Sequence, residues 1–459
     1  MKRPAHWLVV LCFISVAPFA GQAATTLGGD DDDRQRPHNV LYAQTNNSAS
    51  GENAVLAYRR DPKDGSLTLL GVFDTKGTGY LNVNQRIGPD DTDQELIVSS
   101  NHRYLFVTNA GSDDISVFRI DEDGRLDLIR DTPFPSGGKQ PSSLALVGHR
   151  LYVVNRGDGI LPTAVVPTGV TGTPGATNYT GFRLDEESEF DPIAGSTIVL
   201  ADGSSPSQIV PSVDRKFLFG DNFLVPDATV TPPAPVFPAA RSFLDSLTIM
   251  HHKGGLSAGT PVALPAAYDS KPLILGLRAH PTFNILYGGL VAAGRLGVWS
   301  YDASGNLSFV GAERDPNNIG AAGGLCWIAI DPNAQYAYTA SVVPDVIGVL
   351  SIKDPSNPER IQNFALGGPK APLPAGTPEP YKFTAAPFNL AVDPSGRFLY
   401  VMSDQTCTSA SVDPVNCPQG TGIHIMQINS DGTLTETPGS PLIIPPSLVP
   451  DHAKGMVVL

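Results

Sequence analysis

The stretch that most constrains this chain is Glu95–Asp131, ELIVSSNHRYLFVTNAGSDDISVFRIDEDGRLDLIRD. It reads as four short strands, Leu96–Val98, Tyr104–Thr108, Asp114–Ile120 and Leu126–Ile129, separated by polar turns. Runs of Val, Ile, Phe and Tyr bounded by Asn, Asp, Gly and Ser are what strands and tight turns require. The third strand is apolar on both faces, with Ile115 and Val117 on one and Phe118 and Ile120 on the other. A sheet of that kind must be covered on both sides. A lone four-stranded meander cannot do this, so the chain needs copies of it.

The copies are present. PFNLAVDPSGRFLYVMSD starts at Pro387 and resumes as GIHIMQINSDGTL at Gly422. LCWIAIDPNAQYAYTAS starts at Leu325 and is followed by DVIGVLSI at Asp345. Weaker copies start at Pro141, Pro206 and Leu273, and a glycine marks the turn before the last strand at Gly65, Gly124, Gly255, Gly305 and Gly432. Meander units recurring at roughly 40–50 residues predict a propeller. Second-type strands begin near residues 40, 104, 151, 216, 285, 336 and 398, but first-type strands only near 96, 143, 207, 273, 325 and 388. The missing first strand is the C-terminal GMVVL, Gly455–Leu459. The reading is all-β: a seven-bladed propeller of four antiparallel strands per blade. The last residues lie inside the first blade, which leaves no free sheet edge between first and last blades.

Met1-Lys2-Arg3, the apolar Trp7–Phe19 and the small residues Ala20–Ala24 read as a secretory signal peptide, residues 1–23, cleaved after Ala23. Residues 24–38, with Asp30–Asp33, read as a disordered acidic leader, and 39–459 as one propeller domain. The expected protein is secreted or periplasmic, with no membrane insertion and a monomeric state. Loss of Lys2 and Arg3 takes the formal net charge from −14 to −16, which disfavours nucleic acid as a partner. Cys407 and Cys417 share one loop, and export favours a disulfide between them; Cys326, beside Trp327, reads as a buried thiol.

Let strands A to D run outward from the axis in each blade. B–C and D–A loops then emerge on one rim, A–B and C–D turns on the other. The long excursions Asn155–Thr177, Asp221–Leu244 and Ser403–Thr421 read as B–C loops, Asp74–Gln94 and Leu366–Ala386 as D–A loops. All fall on one rim, where a rigid scaffold carries function. Residues expected at the channel mouth on that rim are Asn46, Glu95, Asn109, Asn155, Arg156, Asp221, Asn222, Ser403, Asp404 and His452, with Arg86 in the adjoining loop. Asparagine is also an ordinary turn residue at such positions. Asp90, Asp91, Asp93 and Glu95 offer the oxygens that Ca²⁺ takes, without a recognisable ligand spacing. No motif requires a cofactor.

VTNAGSDDISVFRIDEDGRL and LAVDPSGRFLYV resemble the repeats of YVTN-type and lactonase-like seven-bladed propellers, a family that includes 6-phosphogluconolactonase and is similar to carboxymuconate cyclases. The resemblance implies a lactone hydrolase or cycloisomerase. The family's competent branch carries histidines ahead of a mid-chain inner strand. PSQIVPSVDRKFLFGDN, the matching segment, has none, which argues against phosphogluconolactone hydrolysis and towards binding; the family likeness combined with export points to an unphosphorylated lactone. A base, a cation for the oxyanion and a pocket are then needed. The candidates are His452, Glu95 and Arg156, with Arg86, Asn109, Asn155, Asp221, Asn222 and Asp404 lining the substrate site. The competing reading is a non-catalytic propeller that binds a small ligand, glycan or protein through the same rim.

Overall fold

The computed structural model describes residues 38–80, 95–158, 173–184, 190–201, 204–226, 240–251, 253–268, 273–342, 345–366, 371–372, 383–384, 387–403, 421–450 and 453–459. The signal peptide and leader lie outside these residues, apart from His38, which the structure describes.

Seven four-stranded antiparallel meanders form the blades of a ring. Their inner strands are Lys454–Val458, Leu96–Val98, Pro141–Val147, Ser205–Pro211, Ile274–Ala279, Leu325–Ile330 and Pro387–Val392, in blades 1 to 7. The C-terminal strand pairs antiparallel with Val40–Gln44, placing Val457 opposite Tyr42 and Val458 opposite Leu41. The ring is therefore closed inside blade 1, as the repeat count requires.

The core lies in the seams between blades. Ile115 and Val117 of blade 2 pack with Leu144, Leu151 and Val153 of blade 3. Phe118 and Ile120 pack with Tyr42, Val55 and Ala57 of blade 1. Both faces of the strand that demanded cover are thus covered.

A second repeated contact ties the seams. The Tyr42 hydroxyl donates to the Gly124 carbonyl at 2.8 Å, Tyr152 to Gly254 at 2.9 Å, Tyr338 to Gly432 at 3.2 Å and Tyr400 to Gly65 at 2.8 Å. Each tyrosine sits on strand B and reaches the C–D turn of the next blade. That turn needs a left-handed glycine; at Gly65 (φ 76°) an added Cβ would also run into the Phe398 ring. Burial holds these phenols above their ordinary pKa, so they remain donors. At the closing seam Arg60 of blade 1 adds a buried ion pair to Asp393 of blade 7, at 3.1 Å.

Three expectations need correction. Asp221 and Leu244 are not loop ends: strands B and C of blade 4 run Phe217–Pro226 and Ala240–Ile249, pairing those two residues directly. The connection after blade 6 is not all loop, because Ala371–Pro372 pairs with Phe383–Thr384. The left-handed glycine of blade 4's last turn is Gly254 rather than Gly255. Blades 2, 3, 4 and 7 also carry a short fifth segment beside strand C: Phe134–Pro135, Ile198–Val199, Val262–Ala263 and Leu442–Ile444 respectively.

Candidate functional site

The mouth on the loop-bearing rim is built by a repeated irregularity. In six blades the ladder between strands A and B slips by one residue near the start of strand A. The slips leave Ser142, Ser207, Gly276, Cys326, Phe388 and Gly455 without a strand-B partner. Bulges of this kind re-aim side chains at barrel rims. Gly276 and Gly455 are left-handed (φ 77° and 74°), and a Cβ at Gly276 would meet the Cys326 carbonyl of the next inner strand.

Two opposite charges lie on adjacent inner strands at this level. Lys454 opens the closing strand and is buried, with Nζ 3.8 Å from the centre of the Phe388 ring. Phe388 in turn stands edge-on to Trp327, with centroids 4.9 Å apart. Glu95, at the start of the neighbouring inner strand, is only 5% exposed, and an added Cβ on Gly455 would lie 3.1 Å from its Cβ. Blades 7, 1 and 2 therefore place a buried ammonium and a buried carboxylate on adjacent inner strands.

The other expected residues are engaged in holding the rim together. Asn109 accepts from Asn53 Nδ2 and Thr75 Oγ1, both at 2.8 Å, and donates to Asp114 at 2.7 Å and Ser116 at 2.8 Å. Asn155 donates to the Ser136 carbonyl and to Asn178 Oδ1, each at 3.0 Å. Asn46 brackets the backbone of Tyr80, and Arg156 Nη2 donates to Gln140 Oε1 at 3.1 Å with its guanidinium 5.9 Å from the Tyr80 ring centre. Asp221 accepts from Ser207 Oγ (2.7 Å), Gln208 N (2.6 Å) and Gly276 N of blade 5 (3.1 Å). Ser403 Oγ donates to the Gly422 carbonyl at 3.4 Å. Asn222 faces the blade 3 seam, and its Oδ1, like that of Asn155, finds no partner among the described residues. His452, Arg86, Asp90, Asp91, Asp93, Asp404, Cys407 and Cys417 lie outside the described residues.

The opposite rim is closed by turn caps. Asp331 and Asp393 each accept backbone N–H groups from their own A–B turn. His280 takes the same post, its Nδ1 accepting from the N–H groups of Thr282 and Phe283 at 3.2 Å. Burial holds its pKa below the usual histidine value, as suits a neutral acceptor. A cavity of about 530 Å³ lies outboard of the mouth between blades 2 and 3, with Lys139 paired to Asp113 at 2.6 Å in its wall. Among the described residues no group of three metal-ligating side chains converges, and no helix is long and apolar enough to cross a membrane.

A family model, Lactonase, 7-bladed beta-propeller, matches residues 52–163. Among solved structures, a candidate 6-phosphogluconolactonase from Bacteroides fragilis superposes with a TM-score of 0.61 at 15% identity, covering 94% of this chain and 99% of that one. The chain is a seven-bladed β-propeller, part of which matches the lactonase family. A second candidate 6-phosphogluconolactonase, from Bacteroides uniformis, reaches 0.60 at 16% identity over 91% of this chain and 98% of its own. A hypothetical selenium-binding protein from Sulfolobus tokodaii reaches 0.59 at 16% identity over 92% and 94%. No curated protein matches in sequence. Such distant likenesses establish the propeller and leave its chemistry to the site.

Sequence reasoning missed two buried groups on C strands. His424 is fully buried, with Nδ1 2.8 Å from Glu436 Oε1 and Nε2 without a partner. Asp245 is bonded by the Tyr179 hydroxyl of blade 3 at 2.8 Å. Both stand mid-strand among apolar neighbours, where the only available signal was a polar residue interrupting a buried run.

Proposed function

We propose that this propeller is exported and hydrolyses a small unphosphorylated lactone at the mouth between blades 7, 1 and 2. The observation that carries the reading is the placement of Glu95 beside the Lys454 strand, both buried, in a lactonase-like propeller. Hydrolysis needs a base for water, a cation for the oxyanion and a proton for the departing ring alkoxide. Glu95 takes the proton from water as its oxygen bonds to the carbonyl carbon. The Lys454 ammonium faces the oxyanion, and the ring C–O bond breaks as the alkoxide is protonated. His452, two residues before Lys454 in sequence, is the proton carrier for that last step. Arg156 and the asparagines hold the rim rather than react. With Glu95 and Asp221 at the mouth and the Arg156 guanidinium bonded to Gln140, the site favours a neutral substrate over a phosphorylated one.

The test is a panel of unphosphorylated lactones on purified mature protein. Glu95→Gln and His452→Ala should each lower turnover by roughly 10²–10⁴-fold while the fold persists. Loss of turnover on chelation, restored by Ca²⁺, would move the role of the cation from Lys454 to a metal. Absence of turnover on every lactone would overturn the reading in favour of a binding propeller.

A further inference from the structure

We propose that the seam between blades 3 and 4 is a proton-operated joint, tightened when Asp245 takes up a proton and loosened when it is ionised. Asp245 lies on strand C of blade 4 and points into the seam, 7% exposed. The equivalent places in the other blades hold Leu56, Ser116, Thr180, Gly297, Gly348 and His424, so the carboxyl is peculiar to this seam. The contact is built from three residues. Tyr179 of blade 3 crosses the seam to donate to Asp245 Oδ2 at 2.8 Å. Its path runs over Gly220, which pairs with Asp245 and where any Cβ would collide with the Tyr179 hydroxyl.

Among the described residues, none offers the carboxylate a counter-charge. From blade 3 the titratable groups facing it are the hydroxyls of Tyr179 and Tyr152, the latter already given to Gly254. From its own blade, Asp221 adds a second negative charge that acts on Tyr179. Arg150 acts on Tyr152 and not on Asp245. Contrast Arg360 and Glu313 in the seam between blades 5 and 6, fully buried but paired at 2.6 Å. Burial pushes the Asp245 carboxyl up to about 6, with the Tyr179 hydrogen bond pulling weakly the other way, while Tyr179 itself stays protonated.

The sign follows from linkage. The folded state binds this proton more tightly than the unfolded chain, whose carboxyl titrates near 3.8. Stability from this group is therefore full below about pH 4, falls as pH rises towards 6, and stays low above it. The difference corresponds to roughly a hundredfold in the folding equilibrium constant. Because Asp221 is in the very next pairing on the same strands and clamps the inner strands of blades 4 and 5, the joint borders the mouth.

The experiment is chemical denaturation of the mature protein from pH 4 to 8, comparing wild type with Asp245→Asn and Tyr179→Phe. Asp245→Asn should be more stable than wild type at pH 8, by up to about a hundredfold in the unfolding constant, with the gap closing below pH 5. Tyr179→Phe, which removes the donor favouring the ionised form, should move the midpoint of the wild-type pH dependence upward. Amide exchange on Asn178–Leu184 should be slower in Asp245→Asn than in wild type at pH 8, with the difference shrinking as pH falls to 4. Parallel curves for wild type and Asp245→Asn would overturn the joint. So would an asparagine variant less stable than wild type at pH 8, since the charge would then be compensated.

Discussion

The two rims of this propeller use the same residue types for opposite purposes. On the A–B rim, Asp331, Asp393 and His280 spend their acceptors on N–H groups within their own turns. On the mouth rim, Asn109, Asp221 and Asn155 reach across to other strands and incoming segments, and the buried charges Glu95 and Lys454 stand on neighbouring inner strands. A local acceptor makes a turn rigid; a non-local one makes the mouth depend on how neighbouring blades sit. Substitutions on the first rim should therefore change stability alone, and those on the second should change chemistry.

The largest expected effect falls on the closure that joins the rims. Deleting Gly455–Leu459 removes Met456, Val458 and Leu459 from the core, a loss of roughly 5 kcal/mol or more. The shortened protein should aggregate or melt at least 10 °C lower; an unchanged melting curve would break the closed-ring account. Next comes Arg60→Ala, which strands the buried Asp393 carboxylate and should cost about 3–5 kcal/mol in denaturant unfolding. Lactone turnover of the folded fraction should stay at the wild-type level. Tyr400→Phe removes one hydroxyl from the same seam and should cost about 1 kcal/mol, again without effect on turnover. A larger loss would mean that the tyrosine lock, rather than apolar packing, dominates the seams.

The propeller was readable because its repeat is local. Each blade announces itself through apolar runs and turn glycines, and a count of first strands one short of the second strands exposes the closing strand at Gly455–Leu459. The length of blade 4's middle strands escaped because Asp221 and Asn222 look like turn residues and are instead held by Ser207 and by their pairing with Leu244 and Phe243. The mouth was only half readable for a related reason. Glu95 was placed by blade geometry, but the bulges that aim Ser142, Ser207 and Phe388 depend on pairing between strands and have no local signature. Asp245 and His424 depend on what the adjoining strand or blade presents to them, which periodicity alone does not encode.

The central claim is that the closing strand completes a reactive mouth by setting Lys454 beside Glu95. Its most direct test is kcat/KM on the best lactone of the panel for Lys454→Met, a substitution that keeps the side chain's length on the Phe388 face and removes its charge. The account predicts a loss of at least about 100-fold, the usual worth of one oxyanion-stabilising group, with unfolding free energy within about 1 kcal/mol of wild type. Turnover equal to wild type in that folded variant would contradict it.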